Sequence, residues 1–78
     1  MQARVELSLY PLADDYISII KAFIERLNSH AGIDVVTNPM STQVTGDYDE
    51  VMALITDELR ISFDHSKAVC VMKVLPLL

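Results

Sequence analysis

Two hydrophobic periodicities alternate along this chain, and the order in which they alternate limits its fold more than any other feature. Over residues 4–12, apolar Val5, Leu7 and Leu9 alternate with Arg4, Glu6, Ser8 and Tyr10. That is the period-two pattern of a strand with one buried face, and Pro11, which has no N–H to donate, is expected to end its ladder. Helical spacing then takes over. Asp14 and Asp15 offer N-cap oxygens, and Tyr16, Ile20, Phe23 and Leu27 follow beside Ile17 and Ile24, predicting a helix over residues 15–30. Gly32 can adopt the left-handed conformation that closes it.

The second half repeats the alternation with an extra strand. Residues 33–37 read as a short strand broken by Asn38-Pro39, and Thr42-Gln-Val-Thr45 is β-branched at three of four positions before Gly46. The two predict a hairpin turning around residues 38–41. Asp47 and Glu50 form a capping-box variant ahead of Val51, Leu54, Ile55 and Leu59, predicting a second helix over residues 47–62. Residues 67–75 form a last strand with Ala68, Cys70, Met72 and Val74 on one side and Val69, Val71, Lys73 and Leu75 on the other. The order strand, helix, strand, strand, helix, strand is the split βαβ pattern of a ferredoxin-like α+β fold. Both helices then cover one face of a four-stranded antiparallel sheet of order 4-1-3-2, and the other face stays open. An edge strand apolar on both sides does not suit a monomer, and a homo-oligomer, dimer or tetramer, is expected through the open face or that edge.

With 78 residues, of which 51% are hydrophobic and 22% charged, the chain reads as one globular domain, residues 1–78, and not as a disordered segment. Its net charge of −5 repels phosphate backbones and anionic lipid surfaces, so neither nucleic acid nor membrane is expected as a partner. No uncharged stretch approaches a membrane span, and the single Cys70 excludes an internal disulfide. A cytoplasmic address follows as the expectation.

Catalytic chemistry is hard to assemble from these residues. His30, His65 and Cys70 are the soft metal ligands and are too widely spaced for a zinc motif. His30 reads as a helix-end residue, His65 as a loop residue, and Cys70 as core. Asp14-Asp15, Asp57-Glu58 and the Asp47, Asp49, Glu50 group fall where capping and solvation explain them. Neither Gly32 nor Gly46 opens a phosphate loop, and the loop after the first strand is acidic where an acylphosphatase needs an arginine. No enzyme activity and no cofactor are expected. One polar segment remains, residues 37–47, in which Asn38, Ser41, Thr42, Gln43 and Thr45 crowd neutral donors and acceptors onto one hairpin. Such a set suits a heterocycle with several hydrogen-bonding edges; it equally suits an ordinary hairpin whose Asn38 makes an Asx turn.

Glu6-Leu-Ser-Leu-Tyr-Pro-Leu12, Thr37-Asn-Pro-Met-Ser-Thr42 and Gly46-Asp47 together resemble the YkoF-like thiamine-binding family, over nearly the full length of the chain. The resemblance implies a small, non-catalytic, ferredoxin-like domain, often oligomeric, that binds thiamine, its hydroxymethylpyrimidine portion or a similar heterocycle. Matched position by position, it points to Ser8 and Tyr10 on the first strand, Asn38, Met40, Ser41 and Thr42 in the hairpin, and Thr45 beyond it as ligand-binding residues. Thr45 stands where the family commonly has a glutamate, which removes a carboxylate that could face a thiazolium cation and favours a neutral pyrimidine or no thiamine-like ligand at all. The competing expectation is a structural or regulatory oligomerisation module without a small-molecule ligand.

Overall fold

The computed structural model describes all residues, Met1–Leu78. Its elements are β1 (Gln2–Pro11), α1 (Tyr16–Asn28), β2 (Asp34–Thr37), β3 (Thr42–Asp47), α2 (Tyr48–His65) and β4 (Ala68–Pro76). The sheet runs β2-β3-β1-β4, and every neighbouring pair is antiparallel. This is the ferredoxin-like arrangement that the periodicity predicts.

Strand parity decides what each face carries. Val5, Leu7 and Leu9 point toward the helices and join Val44, Phe23, Leu27, Val51, Leu54 and Ile55 in one buried cluster. The two helices therefore share a face of the sheet. The registers Leu7↔Thr42, Val5↔Val44 and Ala3↔Gly46 carry β3 residues into the same layer. A Cβ added at Gly46 would stand 3.3 Å from Val51 Cγ2 and 3.5 Å from Ile33 Cγ1, so the missing side chain is what lets α2 start so close to the sheet. Gly32, at φ 81°, takes the left-handed conformation after α1.

Several local expectations shift. Pro11 closes β1 but does not end its pairing, because Pro11 opposes Ala68 and the Leu12 N–H donates to the Lys67 carbonyl at 2.8 Å. The α1 N-cap is Asp15, yet its carboxylate caps nothing; its backbone carbonyl receives the Ser18 N–H at 3.1 Å and the Ser18 hydroxyl at 2.9 Å. Tyr16 and Ile17, counted in the buried stripe from spacing, are exposed. Helix α2 runs a turn longer than its apolar pattern, so His65 ends a helix, where its Nδ1–H donates to the Ile61 carbonyl at 2.9 Å. Its cap is as expected, with Asp47 Oδ2 accepting the Glu50 N–H at 3.3 Å.

Acidic residues in α2 are not all solvated. Glu58 is buried, and its Oε2 accepts from Arg26 Nε on α1 at 2.6 Å, while Arg26 Nη2 donates to the Ser62 hydroxyl at 2.8 Å. This partly buried ion pair pins the two helices together above the core. The helices stop short of the sheet's outer edge. Ala68 and Cys70 of β4 pack against the core, whereas Met72 and Val74, on the same side of the strand, are exposed.

Candidate functional site

At the end of β1 farthest from its N-terminus, the sheet, α1 and the β2–β3 hairpin enclose a cleft of about 420 Å³. Its floor is core: Leu7, Leu9, Phe23 and Ile24 from β1 and α1. Its rim is polar and comes from the hairpin and the strand end. Ser8, Tyr10, Asn38, Met40 and Thr42 all line it, so five of the seven residues singled out in the sequence meet at one opening. The volume lies in the usual range for small-ligand pockets, and an apolar floor with a few placed polar groups is their usual construction.

The hairpin is rigid for a local reason. Asn38 Oδ1 accepts the backbone N–H groups of Met40 at 2.8 Å and Ser41 at 3.0 Å, and the Asn38 N–H donates to the Ser41 carbonyl at 3.0 Å. The side chain thus shapes the turn instead of presenting its oxygen to the cleft, the Asx-turn role that polar hairpins use. Pro39 fixes φ inside that turn. The hairpin is tied to β1 by the Ser8 hydroxyl, which donates to the Met40 carbonyl at 3.3 Å.

Thr42 sits deeper than its polarity suggests. Its register partner is Leu7, which puts it on the helix-facing side, only 5% exposed, with its hydroxyl 3.2 Å from that of Thr37. Ser8 and Tyr10 belong to the opposite side of β1, so the cleft wraps around the strand end and draws on both faces. Ser41 lines a second cleft, of about 240 Å³, on the open face of the sheet. The two clefts share Leu7, Ser8, Tyr10 and Met40 and therefore abut across the Ser8–Met40 hydrogen bond. Thr45 joins neither. It lies on the open face opposite Arg4, whose Nε donates to its hydroxyl at 3.0 Å.

The second cleft brings in residues that the sequence reading passed over, Glu6 and Lys73. Glu6 Oε2 accepts the Ser41 hydroxyl at 3.1 Å, and Oε1 stands 3.7 Å from Lys73 Nζ. Period two already placed Glu6 on the same side of β1 as Ser8 and Tyr10, so the signal was present, but only the β1–β4 register Glu6↔Lys73 supplies the partner. The lone thiol, Cys70, belongs to neither cleft; burial pushes its pKa up, the opposite of an activated nucleophile. No group of His, Cys, Asp and Glu side chains is arranged to hold a metal ion, and no helix is long and apolar enough to cross a membrane.

The model of the YKOF-related Family matches residues 2–74, nearly the whole chain. The chain belongs to the YKOF-related family. No curated protein matches it significantly in sequence. Solved structures share its fold at low identity. A Streptococcus pneumoniae protein superposes with a TM-score of 0.92 at 23% identity, covering 100% of this chain and 89% of that one. A proposed thiamine biosynthesis/salvage protein of Thermotoga maritima gives 0.87 at 20% identity, covering 99% and 85%. A Methanocaldococcus jannaschii protein gives 0.85 at 22% identity, covering 99% and 81%. For this YKOF-related chain these likenesses establish the ferredoxin-like fold.

Proposed function

We propose that this protein is a non-catalytic binding protein for thiamine, its hydroxymethylpyrimidine portion or a closely similar small heterocycle. The observation that carries the reading is the convergence of Ser8, Tyr10, Asn38, Met40 and Thr42 on one apolar-floored cleft of about 420 Å³. Family membership and the thiamine-related description of the T. maritima structural neighbour support the choice of ligand. Tyr10 and Met40 offer a ring face and a polarizable sulfur for stacking. The hydroxyls of Ser8 and Thr42 and the Asn38 amide nitrogen supply hydrogen bonds for a pyrimidine edge. The lining holds no carboxylate, imidazole or amine side chain to act as an acid or base. A cytoplasmic address is in keeping with the free thiol.

Calorimetry with thiamine and with hydroxymethylpyrimidine tests the reading, on the wild type and on Thr42→Val. The substitution keeps the β-branched shape and deletes the hydroxyl that bonds Thr37, so stability should fall by about 1 kcal/mol and affinity at least about fivefold. Equal affinities would move the ligand away from Thr42. No heat from either compound with wild type would favour the second reading, an oligomerisation module without a small-molecule ligand.

That second reading has its own support. Val69, Val71 and Leu75 on the open face are 50%, 55% and 56% exposed. The chain's accessible surface is 5094 Å², above the ~4,700 Å² that mass scaling gives for a monomer of this size. A homo-oligomer, dimer or tetramer, covering that face is compatible with both readings, and sedimentation of the ligand-free protein at tens of micromolar should show it.

A further inference from the structure

Between the two helices lies a cleft of about 250 Å³ that shares no residue with either cleft at the strand end. Asp15, Ile19, Ala22 and Arg26 recur at helical spacing as its α1 wall, and Ser62 and His65 of α2 face them. The helices run in opposite directions, each returning the chain from one strand to the start of a parallel one. Bonding capacity that the fold leaves unused collects in this cleft. Ser62 is 3% exposed, and its hydroxyl accepts from Arg26 Nη2 at 2.8 Å, yet its own hydrogen meets no acceptor in the protein. A buried donor in that state is unfavourable, and an acceptor on a ligand relieves it. Arg26 commits Nε and Nη2 to Glu58 and Ser62, which leaves the two N–H groups of Nη1. Toward the other end the Asp15 carboxylate caps nothing. His65, with its Nδ1–H on the Ile61 carbonyl, keeps Nε2 as a free acceptor.

We propose that this cleft is a second binding site, separate from the one argued above, for an aliphatic ammonium whose far end carries a neutral carbonyl oxygen. Donors stand at one end, acceptors at the other, and the apolar Ile19 and Ala22 line the path between them. The charges agree with that polarity. Arg26 is matched by Glu58 at 2.6 Å, so its end of the cleft offers hydrogen bonds without net charge, whereas no cation stands within ion-pair distance of Asp15. The uncompensated carboxylate, in a chain of net charge −5, favours a cation over an anion. Helical side chains lean toward the N-terminus, so Arg26 reaches back over Ala22, which lies about 10 Å along the helix from Asp15. A spacer of roughly four methylenes fits that span, with the ammonium on Asp15 and His65 Nε2 and the carbonyl on the Ser62 hydroxyl and Arg26 Nη1.

An NMR titration of the intact protein with N-acetylputrescine, which has an ammonium, four methylenes and an amide carbonyl, decides it. The methyl signals of Ile19 and Ala22 should shift with saturation, and those of Leu7 and Leu9, in the floor of the strand-end cleft, should stay in place. Butylamine lacks the carbonyl and N-butylacetamide lacks the ammonium, so each should bind about fivefold more weakly or worse. Asp15→Asn removes a carboxylate that makes no bond in the fold; its melting temperature should match the wild type while N-acetylputrescine affinity falls about threefold to fivefold. Ser62→Ala should weaken N-acetylputrescine by about fivefold and leave butylamine unchanged. No saturating shift at Ile19 and Ala22 overturns the site. Equal affinities for the three compounds, or undiminished affinity in Asp15→Asn, overturn the two-ended recognition on which it rests.

Discussion

The two faces of the sheet are made by alternate residues of the same strands, yet they have opposite fates. On β1, Val5, Leu7 and Leu9 are at most 7% exposed under the helices. Their neighbours Glu6, Ser8 and Tyr10 face outward with Val69, Val71, Lys73 and Leu75 of β4. The covered face is apolar apart from Thr42 and is closed by Phe23, Leu27, Val51 and Ile55. The open face mixes a charged pair and hydroxyls with valines and a leucine that nothing in the chain covers. Stability therefore resides on one face, while ligand and partner surfaces are left for the other and for the strand end where the two meet.

The largest expected effect breaks the covered face. Phe23 is 1% exposed, and Phe23→Ala should destabilise the fold by about 3–5 kcal/mol, through lost burial and a cavity that the surrounding strands cannot close. Its mirror on the open face is Val71→Ser, which should change the unfolding free energy in urea by no more than about 0.5 kcal/mol in dilute protein while lowering the sedimentation coefficient of any oligomer. If Val71→Ser were as destabilising at high dilution as Phe23→Ala, the open face would be part of the fold and the contrast between the faces would collapse.

The next effect sharpens the contrast by testing what holds the helix layer in place. Arg26 bonds Glu58 at 2.6 Å, and His30 Nε2 lies 3.4 Å from the other oxygen of the same carboxylate. Arg26→Met leaves a nearly buried carboxylate with only that distant, half-exposed imidazole, and should cost about 3 kcal/mol in urea denaturation. Arg26→Met combined with Glu58→Leu should recover most of it, since an apolar pair of similar volume removes the stranded charge. A double variant no better than the single one would show that the arginine acts through packing on Phe23, whose ring centroid it approaches to 6.0 Å, and not through the ion pair.

How much of this was legible in the sequence depended on the range of the interaction. The fold was, because period two in residues 4–12 and helical spacing in residues 15–30 are local signals, and their order leaves one simple topology. Exposure of Tyr16 and Ile17 was not, since spacing places residues on a stripe but not at a helix end beyond the edge of the sheet. The Arg26–Glu58 pair joins residues 32 apart, and adjacent acids in a helix look alike whether solvated or buried. At the cleft, residue types pointed to the hairpin, but two roles needed registers. Leu7↔Thr42 turns Thr42 inward, and Glu6↔Lys73 assembles the charged cleft. Asn38 was ambiguous from sequence, and the two backbone N–H groups at its Oδ1 assign that oxygen to the turn.

The smallest expected effect lies where the two faces of β4 differ least. Cys70 opposes Leu9 on the covered side, between the exposed Val69 and Val71, and is only partly shielded because the helices stop short of the sheet edge. Desolvation pushes its thiol pKa above the ordinary value. Ionisation is thus easier in the unfolded chain than in the folded one, and the unfolded state loses its proton first as pH rises. The thiol's contribution to stability is complete below the unfolded pKa, and it declines as pH rises through the raised folded value. Cys70→Ala removes that component, so between neutral pH and about pH 10 the variant's urea midpoint should fall less than the wild type's. A thiol reagent at pH 8 should also label the folded protein more slowly than the urea-unfolded chain. Parallel midpoint curves with equal labelling rates would mean that β4 is as open on its helix side as on its outer side at this position, and the covered face would then end at β1.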